Sequence, residues 1–221
     1  MEWLKSIRNI VFDLGGVVID LNRLRAVEEL EKLGLQEVGE MLGQYVQRPP
    51  FLELETGVLT AGEFFDDLRV RCKANNPESK VSDTALTDAF NAFLVRIPEE
   101  RLRRLRELRM AGFRIFALSN TNPVMFNSWI ARQFRQEGGT INDYFDGIVT
   151  SFQEMVCKPD HAIFEILLRR YGLPGSQTLM LDDSEANCRA ASECGMHALK
   201  VGPTPADDMM AYTGLLLDIH S

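Results

Sequence analysis

Apolar and polar positions fall into distinct regimes along the chain. Residues 7–13 (IRNIVFD) form a short, nearly unbroken apolar run that ends on a carboxylate and enters Gly15 and Gly16, the pattern of a buried strand followed by a tight turn. From residue 22 to about 97 the apolar positions recur at helical spacing and predict helices over 23–33, 37–46, 60–72 and 83–95. Beyond that point the period alternates. Helices are expected over 98–110, 160–171 and 184–194, and strands over 113–119, 148–150, 178–182 and 197–201.

Strands that alternate with helices build a parallel sheet covered on both faces, so the fold class is α/β with a Rossmann-like core. Connections inside such units usually run to about 2–6 residues, and the helical block after the first strand is far longer. It reads as an insertion: residues 1–21 and 98–221 form the core and residues 22–97 a small helical cap. In open parallel sheets ligands bind beyond the carboxyl ends of the strands. Asp13, Ser119 and the pair Asp182 and Asp183 all fall at such ends. A block leaving directly after strand one overhangs the same edge.

At 221 residues and 45% apolar content the chain can bury a full core. It contains neither a long apolar run nor a signal-peptide pattern, so a membrane span and export are not expected. The four cysteines, Cys72, Cys157, Cys188 and Cys194, lack CxxC spacing and read as reduced thiols of a cytoplasmic protein. A net charge of −8 disfavours nucleic acid as a partner. The arginines at 101, 103, 104, 106 and 109 alternate with glutamates and leucines, as on the solvated face of an amphipathic helix. Small anionic substrates fit this picture.

Asp13 alone is a weak signal, since a carboxylate at a strand end is more often a turn former or cap. Adjacent Asp182 and Asp183 beside it carry more, because three carboxylates at one edge repel unless protons or a cation neutralise them. A hard divalent ion answers that, and magnesium, held by one or two carboxylates, waters and phosphate oxygens, suits it best. Ser119 and Asn120 open a turn whose hydroxyl and amides can hold an anionic oxygen. Lys158 precedes Pro159, which is expected at a helix's first position.

Taken in order, FDLGGV at 12–17, LSNT at 118–121, KPD at 158–160 and LDDSEAN at 181–187 resemble the four sequential motifs of the haloacid dehalogenase superfamily. The resemblance extends over the whole core and is nearest to members with a small helical cap, similar to glucose-1-phosphate phosphatases. It implies a hydrolase of small phosphorylated metabolites that works through an aspartyl-phosphate, with Asp13 as nucleophile and Lys158 neutralising charge. Ser119, Asn120 and Gly16 would hold the phosphoryl group. Magnesium would be ligated by Asp13, Asp183 and the carbonyl of Gly15, with Asp182 and Asn187 in support. The segment LETGVLTAGEFF, carrying Glu55, Gly57 and Thr60, is similar to a cap loop that approaches the site, and Thr60 with Glu63 also forms a capping-box pattern.

Superfamily phosphatases usually carry a second Asp two residues after the nucleophile, as acid and then base; here Gly15 stands there. Loss of a positioned acid costs about 10² to 10⁴ in rate. Asp20, Glu154, His161 or a substrate group are the candidate replacements. Two other readings follow from Gly15: a 2-haloacid dehalogenase, which also lacks that Asp, and a phosphate-ligand-binding regulatory protein with weak catalysis. Retention of Asp13, Lys158 and Asp183 favours the phosphatase. Oligomeric state is left open by the sequence.

Overall fold

The computed structural model describes residues 2–136 and 138–220. Its centre is a five-stranded sheet in the order β5-β4-β1-β6-β7, parallel throughout. The strands are β1 (Asn9–Phe12), β4 (Arg114–Ser119), β5 (Gly147–Thr150), β6 (Thr178–Asp182) and β7 (His197–Lys200). The remaining strands, β2 (Asp20–Leu21) and β3 (Leu94–Arg96), pair antiparallel on their own. β1 is buried at all four positions, and its side chains alternate between two cores. Ile10 and Phe12 join Ile115, Leu179 and Leu181 on one face, while Val11 joins Phe116, Leu118 and Met180 on the other. That two-sided burial explains why β1 reads as a continuous apolar run.

Register brings the strand ends together. Phe12 lies level with Ala117 and with Leu181, and the Asp13 amide extends the ladder by donating to the Leu181 carbonyl at 2.9 Å. Asp13, Ser119 and Asp182 therefore leave the sheet at one edge. From β1 the chain proceeds to β4 and β5 on one side and later to β6 and β7 on the other, the reversal that opens a crevice at the strand ends.

Between β2 and β3 lie five helices: α1 (Arg23–Lys32), α2 (Val38–Met41), α3 (Phe51–Glu55), α4 (Ala61–Asn75) and α5 (Asp83–Asn91). Phe51 holds this group together, packing edge-on against Phe64 at 5.2 Å and Phe90 at 5.3 Å. Thr60 caps α4 through a capping box with Glu63. The core helices are α6 (Glu99–Met110), α7 (Pro123–Met125), α8 (Ala131–Gln133), α9 (Ser151–Glu154), α10 (His161–Tyr171), α11 (Glu185–Glu193) and α12 (Met209–His220), with a π-turn at Phe126–Ile130 joining α7 to α8. Among the described residues no helix is long and apolar enough to cross a membrane.

Several local expectations are corrected. The helix expected over 37–46 is a single turn, α2, because Gly43 and the Pro49–Pro50 pair interrupt it before α3 begins. The helix expected over 83–95 ends at Asn91, since Leu94–Arg96 instead pairs with Asp20–Leu21. Pro159 is not the first helical residue: Asp160 caps α10 by accepting from the Ala162 amide at 2.9 Å, leaving the proline one step outside. The α7–α8 segment and α12 lacked a clear apolar period, and the sequence did not indicate them.

Candidate active site

The three sheet-edge acids converge. Asp13, Asp182 and Asp183 each present an oxygen within 4.8 Å of the others. Lys158 reaches beneath them: its Nζ lies 2.6 Å from Asp182 Oδ2 and 3.1 Å from Asp13 Oδ2, and donates to the Leu118 carbonyl at 2.9 Å. The Lys158 side chain is wholly buried. Burial pulls its ammonium down, but the Asp13 and Asp182 carboxylates outweigh that and hold it above the ordinary lysine range.

Asp182 is fully occupied by protein donors. Oδ2 takes Lys158, and Oδ1 takes both the Ser184 amide and the Asn187 side-chain amide, each at 2.9 Å. These bonds tie Lys158 to the start of α11. Asp13 is less fully engaged, with Oδ1 accepting from the Leu14 amide at 2.7 Å and Oδ2 facing Lys158 at 3.1 Å, so each oxygen retains a lone pair. Burial pushes Asp13 up to about 7, Lys158 opposes the rise, and Asp182 and Asp183 add to it. Burial and then Asp182 push Asp183 up to about 6, against Lys158. A pair of hard carboxylates strained in this way is a donor set that a divalent cation relieves.

The turn after β1 is shaped for that role. Gly16 has φ +73°, and a Cβ there would stand 2.2 Å from Asp183 Oδ2. Only glycine lets the backbone approach the acid so closely. Gly15 shows no such constraint; a Cβ there would meet only Leu21, at 3.1 Å.

Ser119 is buried at the end of β4 and, with Asn120, lines the crevice above Asp13. The Asn120 side chain is committed elsewhere, accepting from the Lys158 amide and donating to the Lys158 carbonyl, both at 2.8 Å. It clamps the lysine segment, so of the two residues Ser119 has the free side chain. Ser151 secures the same turn, accepting from the Thr121 amide at 3.0 Å and donating to the Thr121 carbonyl at 2.9 Å.

The crevice opens into a cavity of about 100 Å³ between core and helical block. Asp13, Gly15, Ser119, Asn120, Asp183 and Asn187 line its floor, while Tyr45, Gln47, Phe51 and Glu55 line its helical side. Tyr45, which sequence reasoning missed, lines the same cavity as Asp183, and its hydroxyl favours the charged form of that acid. No local pattern marks it, because the contact crosses from one subdomain to the other. The proposed replacement acids are not in the cavity lining. Asp20 pairs with Arg101 and Arg96, Glu154 forms a two-pronged pair with Arg170, and His161 meets Glu193 at the surface.

Comparison with known proteins identifies the family. A family model described as haloacid dehalogenase-like hydrolase matches residues 7–195. The D-ribitol-5-phosphate phosphatase of Bacteroides thetaiotaomicron is 34% identical over 194 residues, 88% of this chain and 91% of that protein. A haloacid dehalogenase family enzyme from the same organism, solved in complex with magnesium and inorganic phosphate, superposes with a TM-score of 0.81 at 33% identity, covering 89% of this chain and 94% of that one. A predicted HAD-like family hydrolase from Porphyromonas gingivalis gives a TM-score of 0.83 at 32% identity, covering 96% and 98%. The chain belongs to the haloacid dehalogenase-like hydrolase family.

Proposed function

We propose that this protein is a magnesium-dependent phosphatase of small phosphorylated metabolites, sugar or polyol phosphates first among them, acting through an aspartyl-phosphate on Asp13. The observation that carries the reading is Lys158 shared between Asp13 and Asp182, beside an Asp183 whose carboxylate lies close to that of Asp13 in a polar-floored cavity. Similarity to a ribitol-phosphate phosphatase supports the substrate class.

Asp13, Asp183 and the Gly15 carbonyl would hold the magnesium ion, which supplies charge neutralisation for the phosphoryl oxygens. The chain's own groups do the rest. The Asp13 carboxylate attacks phosphorus, Ser119 and the turn amides bind phosphoryl oxygens, and Lys158 offsets charge from below. Water then hydrolyses the aspartyl-phosphate. Phosphoryl transfer needs chiefly positioning and charge stabilisation, and these residues provide both. Residues 22–97 act as a cap that closes the cavity over the substrate. The four cysteines stand unpaired, which suits the reducing cytoplasm.

The dehalogenase reading lacks support because no arginine or lysine is among the cavity-lining residues to cradle a halide. The test is phosphate release from a panel of sugar and polyol phosphates with magnesium or EDTA, comparing the native chain with Asp13→Asn. Magnesium-dependent release that vanishes in the variant is expected; no release from any member overturns the proposal.

A further inference from the structure

The leaving-group proton has no source at Gly15, and the cavity offers one other. Besides Asp13 and Asp183, the only carboxyl among the described cavity-lining residues is Glu55, the last residue of α3. It comes from the helical block, whereas Asp13 comes from the sheet edge, and the two line one cavity. In-line displacement expels the leaving oxygen on the side of phosphorus away from the nucleophile, so its proton has to come from a group other than those at the sheet edge.

Glu55 is 9% exposed and tightly seated. Gly57, two residues on, has φ +68°, and a Cβ there would lie 2.2 Å from the Phe152 carbonyl, so this loop rests directly on the segment after β5. Cys157 Sγ lies 3.6 Å from Glu55 Oε1, and Cys157 is followed by Lys158, the partner of Asp13. Among the described residues Cys157 is the one hydrogen-bonding partner of the Glu55 carboxyl, and no described fully buried polar atom lacks a partner, so the second oxygen is not sealed off, in a residue that lines the cavity. Burial, opposed by Cys157 and Lys158, pushes Glu55 up to about 7 and keeps a large protonated fraction near neutrality. These are the conditions for a proton donor.

Resting on the phosphatase reading, we infer that Glu55 is the acid and then the base of this site, supplied by the cap in place of the residue absent at Gly15. As the bond from Asp13 to phosphorus forms and the bond to the leaving oxygen breaks, the Glu55 proton passes to that oxygen and the alcohol departs. The Glu55 carboxylate then takes a proton from the water that attacks the aspartyl-phosphate. Inorganic phosphate leaves, and Asp13 and Glu55 return to their starting forms.

The experiment compares native chain and Glu55→Gln on alkyl phosphates and on aryl phosphates of graded leaving-group acidity, ending with 4-nitrophenyl phosphate, which leaves without protonation. The acid role is read in kcat/KM, which reports the steps up to departure of the leaving group: for alkyl phosphates it is expected to fall about 10² to 10⁴-fold in the variant. For 4-nitrophenyl phosphate kcat/KM changes little, which also reports that the variant is folded, and dependence on leaving-group pKa steepens, while kcat falls for that ester as well because hydrolysis of the common aspartyl-phosphate loses its base. Equal loss of kcat/KM along the series, or no loss, overturns the inference. In the native chain kcat/KM for alkyl phosphates should decline as pH rises through about 7 more than that for 4-nitrophenyl phosphate; identical profiles overturn it independently of any variant. A native chain inactive on every ester defeats the phosphatase reading instead.

Discussion

Lys158 and Asp182 form an ion pair at 2.6 Å with neither side chain exposed to solvent. Burying both charges is costly, and the pair is held by the further bonds each makes, Lys158 to the Leu118 carbonyl and Asp182 to Ser184 and Asn187. It aims the ammonium at Asp13.

Asp182→Ala removes one partner and strands the lysine. Urea unfolding should show a loss of about 3 to 5 kcal/mol with an unchanged m-value. Turnover should fall as well, because Lys158 is released from its position under Asp13. A variant as stable as the native chain would refute the role assigned to the pair.

Gly16→Ala places a methyl group where Asp183 Oδ2 stands, in a left-handed backbone conformation. The conformation alone costs about 1 to 2 kcal/mol. Displacing Asp183 should raise the magnesium concentration for half-maximal activity about 10- to 100-fold, the usual effect of disturbing a metal ligand's surroundings. Magnesium titration of activity decides it, and an unshifted midpoint contradicts the proposed ligand set.

Glu55 also makes stability depend on pH. Its pKa is raised by burial from 4.5 to about 7, so its contribution is fully present below pH 4.5 and lost as pH rises through 7. The full loss amounts to about 3 kcal/mol. With magnesium present, the native urea midpoint should fall between pH 5 and pH 8 more than that of Glu55→Gln. Parallel curves would show that Glu55 is not protonated when folded.

Asp13 and Asp183 shift in the same direction in the metal-free chain, up to about 7 and about 6, both chiefly by burial. In EDTA their contribution likewise fades as pH rises through that range. Magnesium should therefore raise Tm strongly at pH 8 and weakly at pH 5, with about 2.7 kcal/mol gained at a hundredfold excess over Kd. Asp13→Asn should lose most of the shift. Equal stabilisation at both pH values would point to an ion bound elsewhere.

Much of the site was legible because β1, β4 and β6 are buried strands whose apolar runs end abruptly on polar residues. Asp13, Ser119 and Asp182 mark where each strand leaves the core, and a parallel register brings such ends to one edge. The Thr60 and Glu63 capping box was legible for the same reason, since all its partners lie within one helical turn.

Contacts that cross the fold were not legible. Local periodicity shows that a residue is buried but not what it meets, so Leu94–Arg96 read as helix until Asp20, 76 residues from Arg96, supplied a strand partner. Tyr45 at Asp183, the Asn120 clamp on Lys158 and the Glu55 carboxyl beside Cys157 are likewise set by how the helical block meets the core. The sequence by itself determined the order of buried strands and the acids and lysine at their ends. Only the tertiary structure decided how the oxygens of the three acids are engaged and which further carboxyl lines the cavity, because both depend on hydrogen bonds and burial between segments far apart in the chain.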